Sequence, residues 1–244
     1  MKRRTPRNLE EANLRRTRLA LLVPALTAFV IAGTLVLAAA SRPPVDSRGG
    51  APGTPYPKLT YTRVLKGSIP EYLTISVDAM GTGTYEGRKL DEPPSPRAMK
   101  LSAATTGRLF GLARALNDFK DIDLESHKKV ANLGSKTVIY QAGDEKYKVE
   151  FNYTLNRQAQ ELVDLFEKIA AVEQHIDALE YEVKYDHLGL PRELLQIQID
   201  LDNKALADPQ LMVPTLDEIV KNPRFLHLAQ VRAQNILERL QNSN

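Results

Sequence analysis

Histidine is the side chain best suited to acid–base or metal work near neutral pH, and this chain of 244 residues has four: His127, His175, His187 and His227. They are thinly scattered. None belongs to a His-x-x-x-His pair, the spacing that would set two imidazoles on one helical face. The nearest approach to a zinc ligand set is His175 with Asp186 and His187, but neighbouring residues on a helix point in different directions. Histidines solvated on helix surfaces are therefore the expectation, with no metal and no cofactor. Cysteine is absent, which excludes disulfides, thiolate nucleophiles, thiolate metal sites and a lipidated N-terminal cysteine. That absence is compatible with an oxidising envelope space and with cytosol alike.

Other linear signatures of catalysis are missing. No serine lies in a Gly-x-Ser-x-Gly elbow. Gly81-Thr82-Gly83 lacks the later glycine, the lysine and the strand-to-helix context of a phosphate cradle, so it reads as a hairpin turn. Asp121 with Asp123, and Asp200 with Asp202, pair carboxylates of the kind that hold divalent ions, yet no calcium-loop spacing surrounds them. Asn152-Tyr153-Thr154 is a formal glycosylation sequon. The segment 125–134 is richest in recognition chemistry. It gathers Glu125, His127, Lys128, Lys129 and Asn132 on a connection between helix and sheet, and loops on a rigid scaffold carry recognition more often than cores do. These five residues are the candidate binding set, and no catalytic residue is assigned.

The elements that would position them can be read from periodicity. Residues 72–77 alternate, with Leu73, Ile75 and Val77 on one face and Tyr72, Thr74 and Ser76 on the other, the period of a half-buried strand. Turn residues at 78–83 and a resumed strand at 84–90 predict a hairpin, ended by Pro93, Pro94 and Pro96. Leu109, Leu112 and Leu116 predict a helix over 103–117, capped by Ser102 and packed on the sheet. A second hairpin is expected from 136–141 and 146–153, joined by Ala142-Gly143-Asp144-Glu145, with Val138 and Tyr140 sharing a face and Val149 and Phe151 sharing the face of the partner. The expected fold class is α+β: a small antiparallel sheet of two hairpins with one packed helix, followed by an all-α region.

From 156 onward the period becomes helical. Leu162, Leu165, Ile169, Val172, Ile176, Leu179 and Val183 step alternately by three and four residues, the pattern of coiled-coil core positions. A long amphipathic helix packed on its own domain is the favoured reading, and a homodimer through 162–183 is the alternative. Gly189 and Pro191 should end that helix, and Leu194, Ile197 and Leu201 should begin a shorter one. Two further helices are expected. One opens at Thr215 with a Thr-Leu-Asp-Glu capping box, and one starts at Pro223 after an Asn222 cap, with Leu226, Ala229, Ala233, Ile236 and Leu240 on one face.

The strongest single signal lies in 19–41, which opens at Leu19 and closes at Ser41. It has no charged residue, and 18 of its 23 positions are Ala, Val, Ile, Leu or Phe. As a helix it would reach about 34 Å, against a hydrocarbon core of about 30 Å. A transmembrane helix embedded in membrane lipid is expected, with Arg15, Arg16 and Arg18 holding the N-terminus in the cytoplasm. The rival is an export signal cleaved after Ala40. Residues 41–57 contain five prolines and three glycines, a composition suited to a semi-extended tether. Residues 1–57 carry nine Lys or Arg against three acids, while the remainder carries 24 basic and 27 acidic residues. The basic balance thus belongs to the anchor's flank, and no nucleic-acid partner is expected.

The chain accordingly divides into a basic flank 1–18, a span 19–41, a linker 42–57, an α+β domain 58–155 and a helical region 156–244. Ile75-Ser76-Val77-Asp78 through Gly81, followed by Tyr85-Glu86-Gly87, resembles a family of uncharacterised bacterial envelope domains, in which a strand ending in Asp-Gly turns into a strand reading Tyr-x-Gly and a helix follows. The likeness covers 70–153. The chain departs from the pattern in having Ala79-Met80 before Gly81 and in lacking a cysteine near the domain start. The resemblance implies an envelope location and an α+β fold, and no activity. The expected function is a non-enzymatic, single-pass inner-membrane protein whose body, on the periplasmic or extracytoplasmic side, binds another protein or an envelope polymer. An envelope enzyme with a site assembled from distant residues is the alternative.

Overall fold

The computed structural model describes residues 56–242. The expected span 19–41, its basic flank and the linker up to residue 55 lie outside the described residues. Among the described residues, no helix is long and apolar enough to cross a membrane.

Leu59 and Tyr61 are fully buried while Thr60 and Thr62 are only half-buried, the alternation of a strand with one face on a core. That strand, β1 (Lys58–Val64), was not among the predicted elements, and it is the centre of the sheet. On one side it pairs with β2 (Tyr72–Asp78), and β3 (Thr82–Arg88) and β4 (Arg97–Lys100) follow outward. On the other it pairs with β5 (Ser135–Ala142), which pairs with β6 (Glu145–Phe151). Every pairing is antiparallel. The expected sheet of two hairpins is therefore corrected to six strands. The two predicted hairpins are present, and β1 joins them by placing Thr60 opposite both Ser76 and Ile139.

Between β2 and β3, Asp78 Oδ1 accepts the amides of Met80 and Thr82. Gly81 has φ +82°, and a Cβ there would sit 2.7 Å from the Leu101 carbonyl oxygen. Only glycine suits that position. The open sheet face is polar, with Thr60 bonded to Ser76 at 2.7 Å and Thr62 to Thr74 at 3.0 Å across adjacent strands. Residues 120–126 run beside β6: Lys120 Nζ lies 5.8 Å from the Tyr147 ring centroid, and the Ser126 amide donates to the Tyr153 carbonyl. This segment screens an otherwise exposed edge.

The other sheet face is covered by α1 (Ala103–Ala115) and by the first half of α2 (Arg157–Tyr185). Ser102 caps α1 through its side chain, as expected, and the helix ends two residues before Asn117 in a turn of positive φ at Asn117, Asp118 and Phe119. Asn156 caps α2 by accepting the Ala159 amide at 3.1 Å. The α2 stripe is buried within the chain itself. Leu162, Leu165 and Ile169 join the sheet core, while Val172, Ile176 and Leu179 join a second core made with the C-terminal helices. At about 1.5–3 kcal/mol for each fully buried aliphatic side chain, packing of this stripe is what holds so long a helix.

The second core is completed by α3 (Leu190–Asp202), α4 (Val213–Lys221) and α5 (His227–Asn242). Two expected helix starts are corrected. Thr215 does not cap α4, because the chain enters that helix from a 3-10 turn at Pro209–Met212 and is already helical at Val213. α5 begins at His227 rather than Pro223, because the Asn222 side chain accepts the Arg224 amide and closes a turn. That turn buries Phe225 in place of the expected Leu226, which is exposed.

Candidate functional site

The predicted loop is built around Asn152, just beyond β6. Its side-chain oxygen accepts the Leu133 amide at 2.7 Å, and its side-chain nitrogen donates to the Ala131 carbonyl at 3.0 Å. The sequon nitrogen is therefore already engaged in holding the loop. Glu125 accepts the Asn152 amide at 2.6 Å, and this bond is the main reason its carboxyl titrates below the ordinary value. Asn132 accepts the Gly134 amide at 2.9 Å. His127 lies 2.8 Å from Asp123, which raises the imidazole above its usual range. Lys128 and Lys129 are exposed. Of the five candidate residues, Glu125 and Asn132 shape the loop, whereas His127, Lys128 and Lys129 face solvent.

Beside this loop lies a cleft of about 430 Å³, between the β1, β5 and β6 ends and the first turns of α2. Apolar walls come from Leu133, Phe151 and Val163, and charged groups come from Arg63, Lys136, Asp164 and Glu167. Lys136 Nζ donates to the carbonyls of Leu133, Gly134 and Asn152 at 3.0, 3.2 and 2.9 Å. All three ammonium protons are thus directed to neutral acceptors, so the positive charge has no carboxylate in contact. Burial draws the pKa of Lys136 down.

Of the lining groups, Glu167 Oε1 accepts the hydroxyl of buried Tyr61 at 2.7 Å, and the Tyr61 ring stacks on Phe166 at 4.9 Å between centroids. Burial raises the Tyr61 phenol far above its ordinary range, and Glu167 adds to that rise. Tyr61 is accordingly a fixed hydrogen-bond donor. Arg63 Nε lies 3.3 Å from the same Glu167 oxygen but without hydrogen-bond alignment, and it is buried with no hydrogen-bond partner. A buried Nε–H lacking a hydrogen bond is unusual, because burial of an unmatched donor is costly.

No protein-family model matches this sequence, and no curated protein matches it.

None of Tyr61, Arg63, Lys136 and Glu167 was predicted as a site residue, because they come from β1, β5 and α2. One sign was present. Arg63 continues the inward positions Leu59 and Tyr61, so a charge stands where an apolar residue is expected. Gln160, Val163, Asp164 and Glu167 likewise share one face of α2 at helical spacing.

The other predicted chemistry is dispersed. His175 is 8% exposed rather than solvated, which corrects the expectation for it. Its Nδ1 lies 2.6 Å from Glu193 Oε1 and its Nε2 lies 3.0 Å from Asp200 Oδ2, both on α3. Burial pulls this imidazole down, but the two carboxylates together outweigh it and the net shift is upward. A ring with carboxylates on both nitrogens is an imidazolium joining two helices. His187 Nε2 donates to the Val183 carbonyl, and its ring meets Phe225 edge-on. Asp186 caps α2. His175, Asp186 and His187 are therefore engaged apart from one another, and among the described residues no group of three or more acidic or histidine side chains could hold a metal ion. Asp202 pairs with Arg239, not with Asp200.

Proposed function

We propose that this chain is a single-pass, membrane-tethered envelope protein whose body binds a partner polypeptide in the cleft beside the 125–134 loop. The observation that carries the reading is Arg63, which lines a cleft with apolar walls and whose Nε is buried without a hydrogen bond. Such a group is a waiting donor for a ligand acceptor. The apolar run 19–41, its arginine flank and the resemblance of 70–153 to envelope domains support the location. The reading is non-enzymatic, because Tyr61 and Lys136 are engaged in fixed hydrogen bonds and, among the described residues, no group stands poised as a base beside a nucleophile. The stripe at 162–183 is covered by the chain's own elements, so a second copy is not the favoured partner.

A photo-crosslinking residue at Leu133, which is 47% exposed, tests the binding surface in intact membranes. A discrete adduct should form there, weaken in Arg63→Glu, and be missing from a control site at Asp144 in the β5–β6 turn. Equal crosslinking at both sites would refute the surface. The address is tested separately. A C-terminal tag should become protease-sensitive once the outer barrier is opened, while the chain stays in carbonate-washed membranes; a tag cleaved only after the inner membrane is breached would reverse the orientation.

A further inference from the structure

We infer that the cleft takes the chain-terminal carboxylate of a peptide whose last side chain is apolar, an inference that rests on the cleft being the binding surface. The charge of the ligand follows from the lining. Arg63 and Lys136 are the cations, and neither is matched by a well-aligned carboxylate: Arg63 Nε meets Glu167 without hydrogen-bond geometry, and Lys136 meets only backbone carbonyls. The lining balances Arg63 and Lys136 against Asp164 and Glu167, and its unsatisfied donor is the Arg63 Nε–H; arginine presents its donors as a fork that fits two oxygens in one plane.

A single negative charge is the limit. Asp164 and Glu167 share the lining, and a doubly charged phosphate would stand against both at short range, where like charges repel strongly in a partly desolvated site. Glu167 is also fixed, because the Tyr61 hydroxyl holds it at 2.7 Å. Asp164 is paired with Lys168 Nζ at 2.9 Å. Their positions leave Arg63 as the group a monoanion can reach.

The body of the ligand follows from the walls. Leu133, Phe151 and Val163 supply an apolar surface for one side chain, and Asn152, Thr154 and Gln160 share the same lining. A long acyl chain needs a continuous apolar channel, which three side chains do not make. A peptide needs polar partners for its amides beside an apolar surface for its terminal side chain, and the lining holds both. The volume of about 430 Å³ admits a terminal residue and part of its neighbour.

Calorimetric titration of the full chain in detergent, with acetyl-Ala-Ala-Leu as the free acid and as its amide, tests the inference. The acid should bind, and the amide should bind roughly tenfold to a hundredfold more weakly, the loss expected for charge-assisted hydrogen bonds. Arg63→Lys keeps a charge beside Glu167 but loses the fork, and should remove most of the preference for the acid. On arginine-labelled protein, the Arg63 Nε–H resonance should move with the acid only. Equal affinity for acid and amide, tighter binding of dodecanoate than of the peptide, or displacement of the peptide by equimolar inorganic phosphate would each overturn the assignment. Should Arg63→Lys fail to fold, the acid–amide contrast and the Arg63 resonance on the native chain still decide. A Leu133 crosslink that persists while the acid preference fails would retain the surface and reject the ligand class; loss of both would reject the surface itself.

Discussion

Arg97 Nη2 lies 2.5 Å from Glu173 Oε2, joining the edge strand β4 to the middle of α2. The Glu173 side chain is 3% exposed, and burial lifts its carboxyl above the ordinary value even with Arg97 drawing it the other way. Replacing Arg97 with Met strands this carboxylate and should cost about 3 kcal/mol at neutral pH. Because the folded state then binds the Glu173 proton more tightly than the unfolded state, acidification toward the unfolded carboxyl pKa should recover part of that loss. Urea unfolding of Arg97→Met across pH 4.5–7 reads both effects, and a deficit independent of pH would show that Glu173 is not the group left stranded.

His175 carries the opposite sign. Its folded-state pKa is raised by Glu193 and Asp200 against the pull of burial, so its contribution is complete below the unfolded value of about 6.5 and is lost as pH rises through the folded value. His175→Leu should destabilise by about 2 kcal/mol near pH 6, and the gap from the native chain should narrow toward pH 9. Parallel pH–stability curves would exclude the imidazolium.

Gly81 and Gly143 both have positive φ, but only Gly81 is crowded: a Cβ there meets Leu101 O at 2.7 Å, whereas nothing lies within 4 Å at Gly143. Gly143→Ala should therefore cost about 1 kcal/mol, the left-handed penalty alone. Gly81→Ala should cost distinctly more. Thermal unfolding midpoints rank the two, and an equal drop would mean that the turn relaxes without resistance.

Asn152→Ala removes the side-chain bonds to Ala131 and Leu133 while leaving the backbone bonds of residue 152 to Glu125 and Lys136. The Leu133 amide should lose its hydrogen-exchange protection, with a global loss of about 1–2 kcal/mol. Protection spreading unchanged through 131–134 would show that Lys136 alone holds the loop.

The α+β order, both hairpins, the Ser102 cap and the long helix were legible because each is local: alternation, turn residues and a three-four step lie within a short window. The central strand was missed because Lys58–Val64 follows a proline-rich run and shows its role only through partners far along the chain, such as Ile139 opposite Thr60. The Pro223 start failed for a similar reason. An Asn-Pro pair reads as cap and first turn, but burial of Phe225 against His187 needs residues 223–226 kept out of the helix. The loop 125–134 was visible as a collection of polar residues, yet its neighbour Arg63 lies about sixty residues earlier and meets it only in three dimensions. The buried state of His175 is likewise invisible in linear spacing, since Glu193 and Asp200 belong to the next helix.

The place of β1 in the sheet also has a mechanical meaning. The chain enters the described body at Tyr56 and runs straight into the strand that is laddered to neighbours on both sides. A load applied to the chain at that point acts along β1, so the bonds to β2 and β5 share it in shear and must fail together, where an edge strand would be peeled away one bond at a time. The body is gripped by an interior strand of its sheet, not by an edge.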